Sequence, residues 1–310
     1  MDRRPDFFIV GAPRAGTTSL YYYLRAHPDI YMPALKEPHF FIERGIKLLS
    51  ETRKLRYLPP KIIEKQEDYL RLFSNAQDDQ VAGEASVFYL SDEFAPVKIK
   101  EMNPRAKIIM LLREPVERAH SAYLLAAREG SESLPSFYDA LQEDNKFMVK
   151  FSASASVYIS PGLYYQHIKR YLEIFKGEQL CVYLYDDLVS DTGALVKGVC
   201  SFLGVSSHET EFSGLERRYN SYAEPRNNIL KWLESSRCLQ ALAISMLPRG
   251  IRPLVHDRLV NRKASKPPLD PRARGFLKSI YHDDVLKLQE LIRRDLSSWL
   301  TRGGTLPGER

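Results

Sequence analysis

The chain has 310 residues, 44% hydrophobic and 27% charged, which is enough apolar side chain for a sizeable core and too much for a disordered tail. Lysine and arginine outnumber aspartate and glutamate by 45 to 39, a net charge of +6 that points to an anionic partner and says nothing of fold. Cys181, Cys200 and Cys238 are odd in number, widely spaced and lack a C-x-x-C pair, so they indicate neither a disulfide framework nor a zinc site. No apolar run approaches the roughly 18 residues of a membrane span. The four strongly apolar residues before Gly11 are too few for a signal-peptide core. The expectation is one soluble, cytoplasmic domain over 1–310.

The first element is a buried-strand run, Phe7-Phe8-Ile9-Val10, followed by a tight loop from Gly11 to Gly16. Thr17-Thr18-Ser19 offers N-cap chemistry for a helix running to about Arg25, with Leu20 and Leu24 on one face. The interval from Gly45 to Gln80 mixes charges with Leu and Tyr and reads as loop and helix covering one edge. Further β-rich runs fall at Val81 to Ala82, Lys107 to Leu112 and Leu180 to Tyr185, with helical stretches between. Pro115 suits the first turn of a helix continuing through Ala127. Ser160-Pro161-Gly162 introduces another, carrying Leu163, His167, Tyr171, Leu172 and Phe175. Strands alternating with helices predict an α/β, P-loop-like three-layer fold, with a central parallel sheet flanked by helices.

Gly11-x-x-x-x-Gly16 has the glycine spacing of a Walker A loop, but Thr17 and Thr18 stand where Lys and Ser or Thr belong, and the cation sits inside the loop at Arg14. The strand Ile108-Ile109-Met110-Leu111-Leu112 ends in Arg113, where a magnesium-holding carboxylate would be expected. Metal-dependent NTP hydrolysis is therefore disfavoured. Anion binding is retained, because N–H groups at a helix N-terminus point outward and the helix dipole adds positive potential.

Four segments stand out: Gly11-Ala12-Pro13-Arg14-Ala15-Gly16-Thr17-Thr18-Ser19-Leu20, Lys36-Glu37-Pro38-His39-Phe40-Phe41, Leu112-Arg113-Glu114-Pro115 through Ser121 to Tyr123, and a run from Gly162-Leu163-Tyr164 through Tyr185-Asp186-Asp187-Leu188 to Phe202-Leu203-Gly204. Together they resemble the signatures of sulfotransferases that use 3′-phosphoadenosine 5′-phosphosulfate, PAPS, with the best likeness to the heparan-sulfate-type and bacterial members. The resemblance implies that Arg14, Ala15, Gly16, Thr17, Thr18 and Ser19 cradle the 5′-phosphosulfate. It implies that Arg113 and Ser121 hold the 3′-phosphate, a guanidinium fork plus a hydroxyl donor. Tyr185 matches an adenine contact, and Asn220 and Pro225-Arg226 a cofactor-side loop. Glu37 is implied as the general base that takes the acceptor's proton. Lys36 stands in reserve for anionic oxygens and His39 as an alternative base. Arg14 cannot give up a proton near neutral pH, so its implied part is to stabilise the leaving phosphate oxygen. The implied reaction is in-line sulfuryl transfer without a metal, to a hydroxyl, or an amine, of a small-molecule, lipid or glycan acceptor.

The blander readings are specific. Arg113 could pair with Glu114 or Glu117, Glu37 with Lys36, and Tyr185 could be a buried strand aromatic. His120 and His167 read as ordinary helix residues and the cysteines as small core hydrophobes. Where many relatives place a lysine after Gly83-Glu84, this chain has Ala85. Two other functions compete: a P-loop small-molecule kinase, and a non-enzymatic basic protein binding nucleotides or polyanions. No nucleic-acid motif supports a nucleic-acid partner. The basicity is regional, since residues 217–275 hold 13 Lys or Arg against 4 Asp or Glu. Acceptor recognition is expected in the variable stretches 42–80, 129–160 and 230–265. Trp232 to Val260 could be an apolar lid or a peripheral membrane contact, beside the plainer reading of a helical core segment.

Overall fold

Phe7, Phe8, Ile9 and Val10 are fully buried, and a strand buried on both faces needs cover on both. The computed structural model describes residues 3–42, 63–150, 156–206, 223–225, 261–263 and 266–301. Within them β1 (Phe7–Gly11) leads through the loop to α1 (Thr17–Arg25), β2 (Ile30–Tyr31), α2 (Gln66–Arg71), β3 (Val81–Ala85), α3 (Ala95–Met102) and β4 (Lys107–Leu112). There follow α4 (Pro115–Arg128), α5 (Phe137–Lys150), a 3-10 turn (Ser160–Gly162), α6 (Tyr164–Ile174), β5 (Leu180–Leu184), α7 (Tyr185–Ser190) and α8 (Thr192–Leu203). Last come β6 (Ala223–Pro225), β7 (Asn261–Lys263), α9 (Pro271–Ile292) and α10 (Ser297–Thr301).

The first five strands form a parallel sheet in the order β2-β3-β1-β4-β5, while β6 and β7 pair antiparallel as a separate ribbon. Helices gather in two groups, α1 with α8, and α6 with α3 and α9, the last also meeting α4 and α5. The alternating pattern of the sequence is thus realised as the expected P-loop-like α/β architecture. The core runs along the sheet through Phe8, Ile9, Ile108, Ile109 and Leu111, all fully buried, each contributing on the order of 1.5–3 kcal/mol by burial. Cys200 belongs to this core, as read from the sequence, whereas Cys238 lies outside the described residues.

The strand order fixes where a ligand can sit. From β1 the chain goes to β2 at one edge, returns to β3 beside β1, and then crosses to β4 and β5 on the other side, so the direction of the connections reverses between β1 and β4. Open α/β sheets bind ligands outside the carboxyl ends of the strands at such a switch. The Gly11 to Gly16 loop leaves β1 there, and Arg113 follows β4 there. The β1 pairing with β4 slips between Ile9 and Gly11, and a Cβ on Gly11 would stand 2.7 Å from Leu90 Cβ and 2.9 Å from the Val87 carbonyl oxygen. Only glycine lets the turn after β3 come this close to the loop.

Several local expectations change. The strand read at Val81 to Ala82 continues to Ala85, carrying the buried Glu84 into the sheet. β2 is too short to leave a periodic signal. Thr17, Thr18 and Ser19 are not the cap of α1 but its first turn: the cap position is Gly16, left-handed at φ 95, with no side-chain hydrogen bond. Tyr185 is the first residue of α7 and not the end of β5. The helix after Ser160 is as expected, except that Leu172 faces outward. Of the Gly45 to Gln80 interval, α2 is seen, with Tyr69 and Leu70 buried; residues 43–62 lie outside the described residues.

Candidate active site

The loop after β1 meets the segment after β4 through its own cation. Arg14, left-handed at φ 67, donates from Nε to Ser121 Oγ at 3.1 Å, and its backbone carbonyl accepts from Arg113 at 3.1 Å. Residues 14, 113 and 121, far apart in the chain, are thereby one cluster. Arg113 lies over the Tyr185 ring at 4.7 Å, and its carbonyl accepts the Tyr164 hydroxyl at 2.8 Å. Neither glutamate read as its partner takes it. Glu114 caps α4, accepting from the Val116 and Glu117 amides at 3.1 and 2.7 Å. Glu117 takes Lys266 at 2.6 Å and Arg274 at 3.2 Å. Among the described residues Arg113 makes no ion pair, and its guanidinium stays at the mouth of the β1/β4 crevice.

The helix N-terminus beside this cluster has no side-chain cap. A Cβ on Gly16 would press on Leu188 Cδ2 at 2.6 Å and the Tyr185 ring at 3.2 Å, in a backbone conformation that L side chains resist. With no side-chain cap, the first-turn N–H groups of Thr17, Thr18 and Ser19 keep the geometry of an anion cradle. Ala15 is fully buried and Thr17 and Ser19 nearly so, which holds the loop rigid from below. Tyr185, displaced from the strand, closes one side of the cradle with its ring.

The second half of the site rests on β3. Ser86 donates its N–H to the Ile9 carbonyl at 3.1 Å and Leu90 to the Val10 carbonyl at 2.8 Å, so the turn after β3 lies along the end of β1. Onto it folds the Lys36 to Phe41 segment, through Glu37 N–H to the Ala85 carbonyl at 3.0 Å and His39 N–H to Ser86 Oγ at 3.2 Å. Glu37 Oε1 pairs with Lys36 and Oε2 lies 3.3 Å from His39 Nε2. Burial works to raise the Glu37 carboxyl, but the His39 hydrogen bond and the Lys36 ammonium prevail and bring it down to about 2. His39 is fully buried, and its Nδ1 has no hydrogen-bond partner among the described residues. Behind them Glu84, also fully buried, accepts from Ser86 Oγ at 2.8 Å and from the Tyr69 hydroxyl at 3.1 Å. Burial pushes it up to about 7 against the hydrogen bonds from Ser86, Tyr89 and Tyr69, with the Glu37 charge adding to the rise.

The structure thus gathers Arg14, Gly16, Thr17, Arg113, Ser121 and Tyr185 on one side, and Lys36, Glu37 and His39 on the other. Arg226 and Asn220 lie outside the described residues. Sequence reading offered Glu117 only as a partner of Arg113 and assigned no part in the site to Tyr164, Glu84, Ser86, Lys266 or Arg274. The last two belong to the basic stretch, and their regional charge was the available signal. His120 and His167 are more constrained than ordinary helix residues. Both are buried and lowered to about 4, first by desolvation, and for His120 also by the Lys266 charge. Among the described residues no group of three His, Cys, Asp or Glu side chains is arranged to hold a metal.

Fold and site define a P-loop-like α/β protein with an uncapped helix N-terminus after β1 and a carboxylate on the turn docked against the end of β3. Residues 4–245 match the sulfotransferase domain family, and the chain belongs to that family. This is the family whose signatures the four segments resemble. Among similar curated proteins is the mouse bifunctional heparan sulfate N-deacetylase/N-sulfotransferase 4, 29% identical over 304 residues, covering 96% of this chain and 31% of that protein. Another is mouse carbohydrate sulfotransferase 15, 30% identical over 257 residues, covering 65% of this chain and 44% of that one. The chain spans less than half the length of these relatives. A solved sulfotransferase from Alicyclobacillus acidocaldarius is 30% identical, with a TM-score of 0.67 over 96% of this chain and 99% of that one.

Proposed function

We propose that the protein sulfates a hydroxyl, or an amine, of a glycan acceptor, with Arg14, Arg113 and Ser121 on the phosphates of PAPS and Glu37 as the base. The observation that carries the phosphate side is the Arg14–Ser121–Arg113 cluster at the switch point, because it joins three sequence segments beside a helix N-terminus that no side chain caps. Arg113 and Ser121 would hold the 3′-phosphate, and the first turn of α1 the 5′-phosphosulfate. Tyr185 would stack on the adenine. Arg14 would stabilise charge on the leaving phosphate oxygen without giving up a proton.

Glu37 is favoured over His39 as base by exposure. The Glu37 side chain is 28% exposed and ionised near neutral pH, whereas His39 is sealed and has only its Nε2 turned toward Glu37. A carboxylate at about 2 is a weak base. Movement of Lys36 from Glu37 toward the sulfuryl oxygens would raise its basicity and supply the cation that Ala85 does not. The glycan assignment is supported by the names of the relatives, which act on heparan sulfate and carbohydrate. A small-molecule or lipid acceptor is the alternative outcome. We also place the enzyme in the cytoplasm, on cysteines that form no disulfide-framework pattern; cell fractionation tests the location.

Two measurements test the reading. Calorimetry should find binding of 3′,5′-bisphosphoadenosine far tighter than of ATP, and equal affinities would remove the 3′-phosphate assignment. Incubation with labelled PAPS and extract of the native cell should yield a labelled sulfated glycan identified by mass.

A further inference from the structure

The turn that carries Glu37 has no regular structure of its own, and both Glu37 (φ 62) and His39 (φ 52) are left-handed, a conformation that must be imposed from outside. Three backbone donors dock it. The Glu37 N–H goes to a carbonyl, but the His39 N–H goes to Ser86 Oγ at 3.2 Å and the Phe41 N–H to the Tyr89 hydroxyl at 3.3 Å. A hydroxyl rotates, so it fixes a backbone only when its own proton is committed elsewhere. Ser86 commits its proton to Glu84 Oε2 at 2.8 Å. The other carboxyl oxygen takes the Tyr69 hydroxyl at 3.1 Å, and the Tyr69 ring stacks on Phe40 at 4.4 Å and meets Phe41 edge-on at 5.3 Å. Glu84 therefore stands behind the turn and orients both its polar and its aromatic support.

We propose that Glu84 is a positioning residue, fixing the Glu37 turn through Ser86 and Tyr69 without touching substrate. The proposal rests on Glu37 being the base. An ionised carboxyl accepts at both oxygens, so the hydroxyls of Ser86, Tyr69 and Tyr89 all point toward it. The NH2 of a glutamine would turn one of them around, and a Ser86 proton turned outward would face the His39 N–H it now accepts.

The test compares Glu84→Gln, Ser86→Ala and Tyr69→Phe with the wild type at pH 8, where the Glu84 carboxyl is mainly ionised. Three quantities are read: amide exchange, affinity for 3′,5′-bisphosphoadenosine, and label transferred from PAPS to native extract. Expected in Glu84→Gln and Ser86→Ala is exchange about tenfold faster at Glu37, His39 and Phe41, as for loss of one buried hydrogen bond. Amides of β1 and β4 should be unchanged, bisphosphate affinity should stay within about twofold, and transfer should fall about tenfold. The double variant Glu84→Gln/Ser86→Ala should be no worse than the worse single one. Unchanged exchange over 36–42, or acceleration spread equally over β1 and β4, overturns the proposal. Should Glu84→Gln not fold, Ser86→Ala and Tyr69→Phe decide it by the same readings. If Glu37→Gln kept full transfer, the base assignment would fail, while the exchange result would still say whether Glu84 anchors the turn.

Discussion

The two halves of the site are built by different means. On the phosphate side, the binding groups sit where regular elements end: a helix N-terminus after β1, a strand end at Arg113, a helix face at Ser121. On the base side, Glu37 rides on an irregular turn held by a carbonyl of β3 and by hydroxyls and rings from the turn after it and from α2. The first half follows from the fold. The second is an attachment to it, and its geometry depends on a buried carboxyl several residues away from any reacting group.

That contrast can be broken at both ends. The largest expected effect is on Glu37→Gln, which should lower turnover about 10²- to 10⁴-fold while leaving bisphosphate affinity within about twofold. A parallel loss of affinity would mean that the two halves are not separable. Next in size is acid stability, which belongs to the phosphate half and its neighbours. Because His120 and His167 are held near 4, folding favours their neutral forms, and stability is full above the unfolded value of about 6.5 and falls as pH drops from there toward 4. Each contributes at most about 3 kcal/mol. Glu84, raised to about 7, works in the opposite sense between about 7 and 4.5, so the histidines are isolated by comparing urea unfolding of the wild type with His120→Gln and His167→Gln. An unchanged pH slope in both variants would sink this account.

Arg113→Ala should weaken bisphosphate binding about 10- to 100-fold, the size of a lost charge-assisted hydrogen bond, and leave ATP binding nearly unchanged. Equal losses for both nucleotides would mean that Arg113 serves the shared phosphates. The smallest effect is expected of Tyr185→Leu, which removes the ring under Arg113 and should cost about two- to fivefold in bisphosphate affinity, with turnover at saturating donor retained.

The sequence made the phosphate half legible because its signals are local. Glycine spacing, Arg14 and the Arg113 that ends an apolar run can each be read in a window of ten residues, and the strand order then brings them together. Tyr185 was misplaced by one element, since an aromatic residue after Leu180 to Leu184 prolongs an apolar run whether the backbone continues as strand or turns into helix. Glu84 and Ser86 left no such signal. Their meaning comes from His39, Tyr69 and Phe40, which approach only in three dimensions, and the sequence marked the segment only as one where many relatives carry a lysine. The basic C-terminal stretch was visible as charge alone, and the Glu117 clamp on Lys266 and Arg274 explains where part of that charge is held.

Arg14 ties together two loops with two different parts of itself, its carbonyl to Arg113 and its Nε to Ser121. Exchange for lysine would keep the charge and the carbonyl but discard the Nε bond, because an ammonium on a flexible stem has no planar fork to place there. Positions 14 and 121 therefore form an epistatic pair. The second tie exists only when guanidinium and α4 hydroxyl are both present, so the effects of changing positions 14 and 121 should not add.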